Sequence, residues 1–316
     1  MFEAPSNCSA VPDSVQTDAG VAGAGTLLSF IITNFISLFL SAIIILLGLR
    51  KSTSAPVCRK LLQSFSDQQI ITGIGIQSIG LAKMKYMVSY HFFIIWLLSL
   101  LSTATNLATL LALVNDFKRD WVLRWLRQFF MLINLFLGIL SGIFILQTVM
   151  KNLEPRLPIA CVWEVESRGS SSNAALSIAG TIAVMAAQVI VFVLSTWYLH
   201  SRANPAWLKS VQVVGLFALL AMGIGATVRV ILESQAFGSP PKSLDLQGPS
   251  EKSWSYGQLL PLLLLIMPII STIEVIRGET RMPPSRVDDD TAPLFVNDMD
   301  FQPNPLVGSS NSLFRK

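Results

Sequence analysis

The run from Leu27 to Leu49 contains 23 residues without a single charge, and it ends at Arg50 and Lys51. A helix needs about 20 mostly apolar residues to cross the hydrocarbon core of a bilayer. The run therefore predicts a membrane-spanning helix, with the two basic residues at one surface of the membrane.

Six further segments fit the same description, which gives seven predicted spans. They are residues 61–82, 86–114, 128–149, 174–199, 211–232 and 256–276. The second span is the least apolar, since its apolar part covers only Ile70 to Ala82. Charged residues make up 13% of the chain, against about 25% in an ordinary soluble domain. The prediction is an all-α polytopic membrane bundle of seven transmembrane helices, and an ordinary soluble enzyme, a disordered chain and a disulfide-rich secreted module are excluded.

Positive charges in the connections predict which way the helices point. With the N-terminus outside, the cytoplasmic segments hold 15 Lys and Arg residues and the outer segments hold 7. Cytoplasmic loops usually carry the excess, so we expect the N-terminus outside and the C-terminus in the cytoplasm. Residues 1–25 are expected to form an extracellular disordered tail, 26–276 the seven-helix domain and 277–316 a cytoplasmic disordered tail. This topology favours the plasma membrane.

Two features of the outer segments bear on this orientation. Asn7 begins an Asn-Cys-Ser glycosylation sequon, which is usable only if the tail is lumenal or extracellular. Cys8 and Cys161 would both lie where oxidation is permitted. A disulfide between them and two separate thiols are both compatible with the sequence.

Three polar residues within the spans are candidate ligand contacts. Arg229 lies near the outer end of the sixth span, where it can pair with Glu233 at i,i+4 or contact an anionic ligand. His91 near the start of the third span can bind a ligand or serve as a hydrogen-bonded structural residue. Asn106 is neutral and typical of interhelical hydrogen bonding.

Local signals also mark the second and seventh spans. Ser66 or Asp67 can cap a helix that begins there, with Gln68 and Gln69 in a polar first turn. Gly73 permits close contact between helices. In the seventh span, Pro261 and Pro268 predict a kink.

Several function classes find no support in the residues. The chain has two histidines and no phosphate-binding loop, nucleophile elbow or zinc-protease motif, so we expect no enzyme activity, no metal and no cofactor. Its positive charges are scattered between apolar spans, which argues against nucleic acid as a partner. Membrane lipids, an extracellular ligand and a cytoplasmic signalling protein are the expected partners.

Two stretches resemble a family of fungal multi-pass membrane proteins. The first is Phe65–Gln77 (FSDQQIITGIGIQ), followed by Tyr90-His91 and by Thr105–Thr109; the second is Trp254–Gln258, with Pro268 and Glu274 beyond it. The family typically has an SDQQ entry to its second helix, a Tyr-His pair opening its third and a Trp-aromatic-Gly-Gln opening of its last. Asn106 stands where the family often has His. The resemblance implies a seven-helix fold and a fungal source, and it implies no activity.

Topology and polar residues together favour a receptor-like or sensor-like protein. In this interpretation a ligand at the outer side would shift the packing of the helices, with the kinked seventh helix as a moving part. A small-solute transporter or channel is an alternative, in which Arg229 faces a water-accessible path. A non-catalytic membrane scaffold is another.

Overall fold

The computed structural model describes residues 8–12, 14–50, 56–117, 121–166, 174–200, 208–238, 246–247 and 251–277. These residues form helices joined by short connections, all within the unit Met1–Ser285. The helices are α1 Ala19–Ala22, α2 Ala24–Leu49, α3 Pro56–Ala82, α4 Ser89–Ala112, α5 Val114–Phe117, α6 Trp121–Lys151, α7 Ala174–His200, α8 Leu208–Glu233, α9 Tyr256–Leu264 and α10 Ile266–Ile276. The described residues also include a 3-10 helix at Ile159–Trp163 and two short strands, β1 Val15–Gln16 and β2 Leu246–Gln247, paired in parallel.

In the part of the chain that the structure describes, six helical segments are long and apolar enough to cross a membrane. They are Ala19–Leu49, Ser89–Ala112, Arg124–Lys151, Ala175–His200, Lys209–Glu233 and Tyr256–Glu274. Helix α3 is 27 residues long, which corresponds to about 40 Å. It is not among the six because polar residues such as Asp67, Gln69 and Gln77 lower its mean hydropathy. The described residues thus form an all-α polytopic bundle with six apolar spans and one long, more polar helix.

Helix α4 is the centre of the bundle. Its side chains from Ser89 to Leu111 are all buried except that of Phe93, which is partly buried. Helices α2, α3, α6, α7 and α8 all pack against it. A helix that other helices surround on all sides can carry polar residues only where those residues find partners, so the neighbours of α4 determine what its polar side chains do.

Four connecting segments pack together at one end of the bundle, and we name them the cap. They comprise residues 14–22, 83–88, 152–163 and the described residues of 234–255. Strand β1 pairs with β2, Lys83 Nζ lies 3.5 Å from Asp18 Oδ2, and Val88 bridges to Pro158. Cys8 and Cys161 form a disulfide. The sequence allowed either a disulfide or two separate thiols, and the disulfide is formed. It links the N-terminal segment to the connection between α6 and α7.

The last helix is interrupted, as its two prolines predict. Helix α9 contains Pro261 and ends at Leu264, and α10 begins at Ile266 with Pro268 in its first turn. Pro268 has no N–H to donate to the carbonyl of Leu264, and its ring clashes with that carbonyl. The predicted kink is confirmed, and it lies at Leu265.

Two local predictions are wrong. Helix α3 begins at Pro56 and continues through Ser66 and Asp67, so neither residue caps a helix that starts there. The expected disordered tail of residues 1–25 does not hold for residues 14–25, because β1 is paired and Val21 and Ala22 of α1 are buried. In both places contacts with distant parts of the chain outweigh the local signal. Asn7 and residues 278–316 lie outside the described residues.

Exposed aromatic residues mark both ends of the bundle. On the cap side these are Tyr86, Trp163, Trp254 and Tyr256, and at the opposite end Trp121, Trp125 and Trp197. Between them, large apolar side chains such as Phe39, Phe136 and Phe217 are more than half exposed. Aromatic belts on either side of an apolar surface are typical of proteins embedded in a bilayer.

Candidate functional site

A buried carboxyl group joins the cap to the central helix. Glu251 lies in the connection between α8 and α9, and its side chain is fully buried. Its Oε1 atom is 2.8 Å from His91 Nε2, and the hydroxyl of Tyr90 donates to its Oε2 atom at 3.3 Å. Tyr90 and His91 belong to the first turn of α4. We name Tyr90, His91 and Glu251 the cap cluster.

Further hydrogen bonds fix the position of Glu251. The backbone N–H of Glu251 donates to Gln235 Oε1 at 3.3 Å, and the backbone N–H of Gln235 donates to the Tyr90 hydroxyl at 2.9 Å. The carbonyl of Glu251 accepts from the N–H of Ala24 at 3.3 Å. A buried carboxyl group is tolerated only when such partners compensate for its lost hydration. The buried Glu251 side chain and its backbone therefore hold the connection between α8 and α9 in place.

Gln258 anchors the connection from its other side. Its Nε2 atom donates to the carbonyl of Ser253 at 2.8 Å, and its Oε1 atom accepts from the N–H of Gly25 at 3.5 Å. A Cβ atom at Gly23 or Gly25 would collide with Gln258. These two glycines let the start of α2 approach α9 closely, with Gln258 between them.

Polar residues of α3, α4 and α6 form hydrogen bonds with one another along the middle of the bundle. Gln77 Nε2 donates to Asn134 Oδ1 at 2.9 Å, Asn134 Nδ2 donates to Thr103 Oγ1 at 3.2 Å, and Ser102 Oγ donates to the carbonyl of Gln69 at 2.8 Å. We name these five residues, Gln69, Gln77, Ser102, Thr103 and Asn134, the polar seam. All five are buried.

Gly73 lies at the closest approach of the seam. A Cβ atom there would collide with Ser102 Oγ and would lie 2.7 Å from Asn134 Oδ1. Close contact at this glycine agrees with the sequence prediction. Asn106 continues the same face of α4, where its Oδ1 accepts from Ser66 Oγ at 3.1 Å.

Two ion pairs connect α3 to the far end of the bundle. Arg127 of α6 binds Asp67 at 2.5 Å, and Arg59 binds Asp116 of α5 at 2.7 Å. The Arg127 guanidinium also lies over the ring of Phe117, 5.3 Å from its centroid. Asp67 thus holds α3 against α6 instead of capping a helix, while Gln68 is partly buried beside it.

Arg229 lies on the surface of α8. Its Nη1 atom donates to Glu233 Oε1 at 2.9 Å, and 59% of its side chain is exposed. It borders a cavity of about 730 Å³ between α4, α6, α7 and α8, which we name the α7–α8 groove. Of the two interpretations that the sequence allowed, the ion pair with Glu233 is the one formed.

The three predicted ligand contacts do not form one site. His91 lies in the cap cluster, and Asn106 lies 15 residues further along α4, which corresponds to about 22 Å. Arg229 faces outwards from α8. Trp254 and Glu274 are exposed, whereas Pro268 is buried. Among the described residues, no group of three or more His, Cys, Asp or Glu side chains could hold a metal ion.

Sequence reasoning missed Glu251, the residue around which the cap is organised. Its segment is rich in glycine and proline, and such a composition predicts a flexible loop. A signal was nevertheless present, because Tyr90 and His91 open an apolar helix and buried polar groups need partners. The connection between α8 and α9 contains two acidic residues after Glu233, Asp245 and Glu251, and one of them is that partner.

The fold and its buried polar contacts define an integral, multi-pass, all-α membrane protein. Comparison with protein-family models, with curated proteins and with solved structures finds no match. Resemblance to the fungal membrane-protein family therefore stays a prediction from the sequence motifs.

Proposed function

We propose that this chain is a receptor-like membrane protein of seven transmembrane helices, with its N-terminus outside the cell, its C-terminus in the cytoplasm and a ligand-responsive cap. The observation that carries the proposal is the fully buried Glu251, which ties the cap to the central helix α4. Helix α4 packs against five other long helices. Binding of an external ligand that displaces the connection between α8 and α9 would therefore change the packing of α4 against all five.

The route to the cytoplasm runs along α4 and its partners. The polar seam couples α4 to α3 and α6. At the far end, the Asp67–Arg127 ion pair joins α3 to α6, and the Arg59–Asp116 ion pair joins α3 to α5. A ligand that binds better when the cap cluster is open would shift the population towards a second packing of α4. The break at Leu265 gives the last helix a point at which it can pivot.

Contacts of the cap support seven crossings. The N-terminal segment precedes α2, and residues 83–88 follow α3, yet Lys83 pairs with Asp18 on the same side of the bundle. A chain that leaves one side through α2 must return through α3. The Cys8–Cys161 disulfide places a further connection on that side, and disulfides persist in oxidising compartments. An extracellular cap fits both observations.

Native Cys58 offers a direct test of this topology. Cys58 is free and lies at the start of α3, whereas Tyr86 is exposed just beyond its end. We expect a membrane-impermeant maleimide to label a Tyr86→Cys variant in intact cells and to label Cys58 only after permeabilisation. A Cys58→Ala variant controls for background. Labelling of both positions from the same side would refute the crossing of α3.

A second experiment tests the receptor-like response. Spin labels at Cys58 and at a Lys209→Cys substitution report the distance between the far ends of α3 and α8. We expect Glu251→Gln to change this distance distribution in lipid nanodiscs, because the amide cannot bind His91 and Tyr90 as the carboxylate does. Glu233→Gln is the matched control, since Glu233 forms a surface ion pair with Arg229. Identical distributions in all three proteins would favour a scaffold.

Transport receives no comparable support. The transporter interpretation requires Arg229 to face a water path within the bundle, whereas Arg229 lies on the outward face of α8 and pairs with Glu233. Flux of a small solute into proteoliposomes that Arg229→Gln abolished would reverse this preference.

A further inference from the structure

The α7–α8 groove is large enough for a small molecule. Its volume of about 730 Å³ falls within the roughly 300–1,000 Å³ typical of ligand sites. Apolar side chains of the central helix form its floor, among them Phe93, Trp96 and Leu100. The groove is separate from the cap cluster, and occupation of the groove by a ligand does not depend on the receptor-like function.

Small residues on α7 and α8 explain why the groove is open. Gly180 and Ala183 on α7 and Ala221 and Gly225 on α8 line its walls. A Cβ atom added at Gly180 or at Gly225 would meet no atom within 4 Å. The two helices therefore face each other across space that their own side chains do not fill.

The surroundings of the groove select molecules that dissolve in lipid. Its walls belong to the apolar spans Ala175–His200 and Lys209–Glu233. Leu176 of α7, which lines the groove, is 80% exposed. On α8, Ile224 and Val228 are also exposed, and they adjoin the lining residues Gly225 and Arg229 in sequence. In a bilayer these side chains contact acyl chains, so an acyl chain reaches the groove without entering water.

One charged residue lies at the end of this apolar surface. Arg229 borders the groove near the C-terminal end of α8, on the cap side, and more than half of its side chain is exposed. Glu233 engages Nη1, and a guanidinium carries five N–H donors in a fork that matches phosphate oxygens. Apolar walls that end at an arginine complement an amphiphile with an anionic head.

We propose that the α7–α8 groove binds an acyl chain of a membrane phospholipid and that Arg229 binds the phosphate of the same molecule. Lipid in the groove would fill the space that the small residues leave and would hold α7 and α8 at their observed separation. A sterol or a soluble ligand in the groove is a different occupant, which photocrosslinking distinguishes from a phospholipid.

Photocrosslinking of the full chain in detergent micelles tests the acyl-chain part of the proposal. The probe is phosphatidylglycerol with a diazirine in one acyl chain, and peptide mass spectrometry locates the adducts. We expect adducts on α7 near Gly180 and on α8 near Gly225. Gly225→Leu should lower them by about tenfold because its side chain occupies the groove. Gly48→Leu is the matched control, since Gly48 of α2 also has open space around it.

The same assay tests the phosphate contact. Arg229→Gln should lower labelling by about tenfold, because a hydrogen bond to a charged group contributes that order of affinity. It should leave labelling by a diacylglycerol with the same diazirine chain unchanged. Lys83→Gln, which removes another exposed, ion-paired cation of the cap side, is the control.

Each other outcome overturns the proposal. Equal adducts along exposed faces of α2 and α10, insensitive to Gly225→Leu, would mean ordinary contact with the surrounding lipid. Displacement of the probe by a sterol at equal concentration would assign the groove to sterol. Retention of the Cys8–Cys161 disulfide and a single peak in size-exclusion chromatography show that each variant is folded.

Discussion

The two sides of the central helix α4 are packed by different means. On the α3 and α6 side, a glycine and several hydrogen bonds between the helices bring them together, so that a Cβ atom at Gly73 has no room. Between α7 and α8, Gly180 and Gly225 face open space. Gly73 on one side and Gly180 and Gly225 on the other thus have opposite surroundings, although all three lie inside long helices.

The difference follows from the medium in which the helices associate. Lipid tails are as apolar as leucine, so the hydrophobic effect does not drive helices together within a bilayer. Close packing and interhelical hydrogen bonds hold α3, α4 and α6, as at Gln77 and Asn134. Across α7 and α8 the corresponding contact is that of Gln188 Nε2 with Met222 Sδ at 3.3 Å, and sulfur is a weak acceptor. The helices there separate enough to leave a groove.

The largest effect is expected from a methyl group on the tightly packed side. Gly73→Ala should destabilise the protein by about 1–3 kcal/mol, since the new Cβ displaces Ser102 and Asn134 and overpacked sites cost this much. Gly75→Ala, two residues along the same helix at a position with open space, should not destabilise it. Unfolding in mixed micelles with increasing SDS, followed by tryptophan fluorescence, measures both changes.

Equal stabilities for the two variants would contradict close packing at Gly73. The bundle would then have the same loose contact on both sides of α4, and the comparison would fail. A loss of stability in both variants would instead point to an effect of alanine on helix α3 itself.

A smaller effect is expected from the hydrogen bonds of the polar seam. In a double-mutant cycle, Gln77→Ala and Asn134→Ala should show a coupling free energy of about 0.6 kcal/mol, the average for hydrogen bonds between membrane helices, and at most about 1.7 kcal/mol. Gln188→Ala with Met222→Ala is the matching cycle on the other side, and its coupling should be close to zero. If the second cycle gave the larger coupling, hydrogen bonding would not distinguish the two sides.

Much of the fold could be predicted because its signals are local. The apolar run Leu27–Leu49 corresponds to all but the first turn of α2, and Pro268 predicts the break at Leu265 through steric effects within one helical turn. The ion pair between Arg229 and Glu233 is also local, because residues at i and i+4 are neighbours on a helix surface, and the sequence offered it as one of two interpretations of Arg229. Each of these inferences uses residues within a few positions of one another.

The site could not be predicted because its partners are distant in sequence. Asp67 resembles a helix cap beside Ser66 but pairs with Arg127, 60 residues away. Glu251 lies 160 residues from His91, in a segment whose glycines and prolines indicate flexibility. Local signals describe what a segment does alone, whereas the pairing of these carboxyl groups depends on which distant parts of the chain meet.

The smallest effect is expected from a methyl group in the groove, and its sign is the opposite of that at Gly73. Gly225→Ala should stabilise the protein by about 0.5–1 kcal/mol, because alanine loses less backbone entropy than glycine in a helix and meets no atom there. The same SDS titration measures it, with Gly48→Ala as the control for an open glycine elsewhere in the bundle. A destabilisation like that of Gly73→Ala would show that α7 and α8 close on each other, and the groove would then be too narrow to admit an acyl chain.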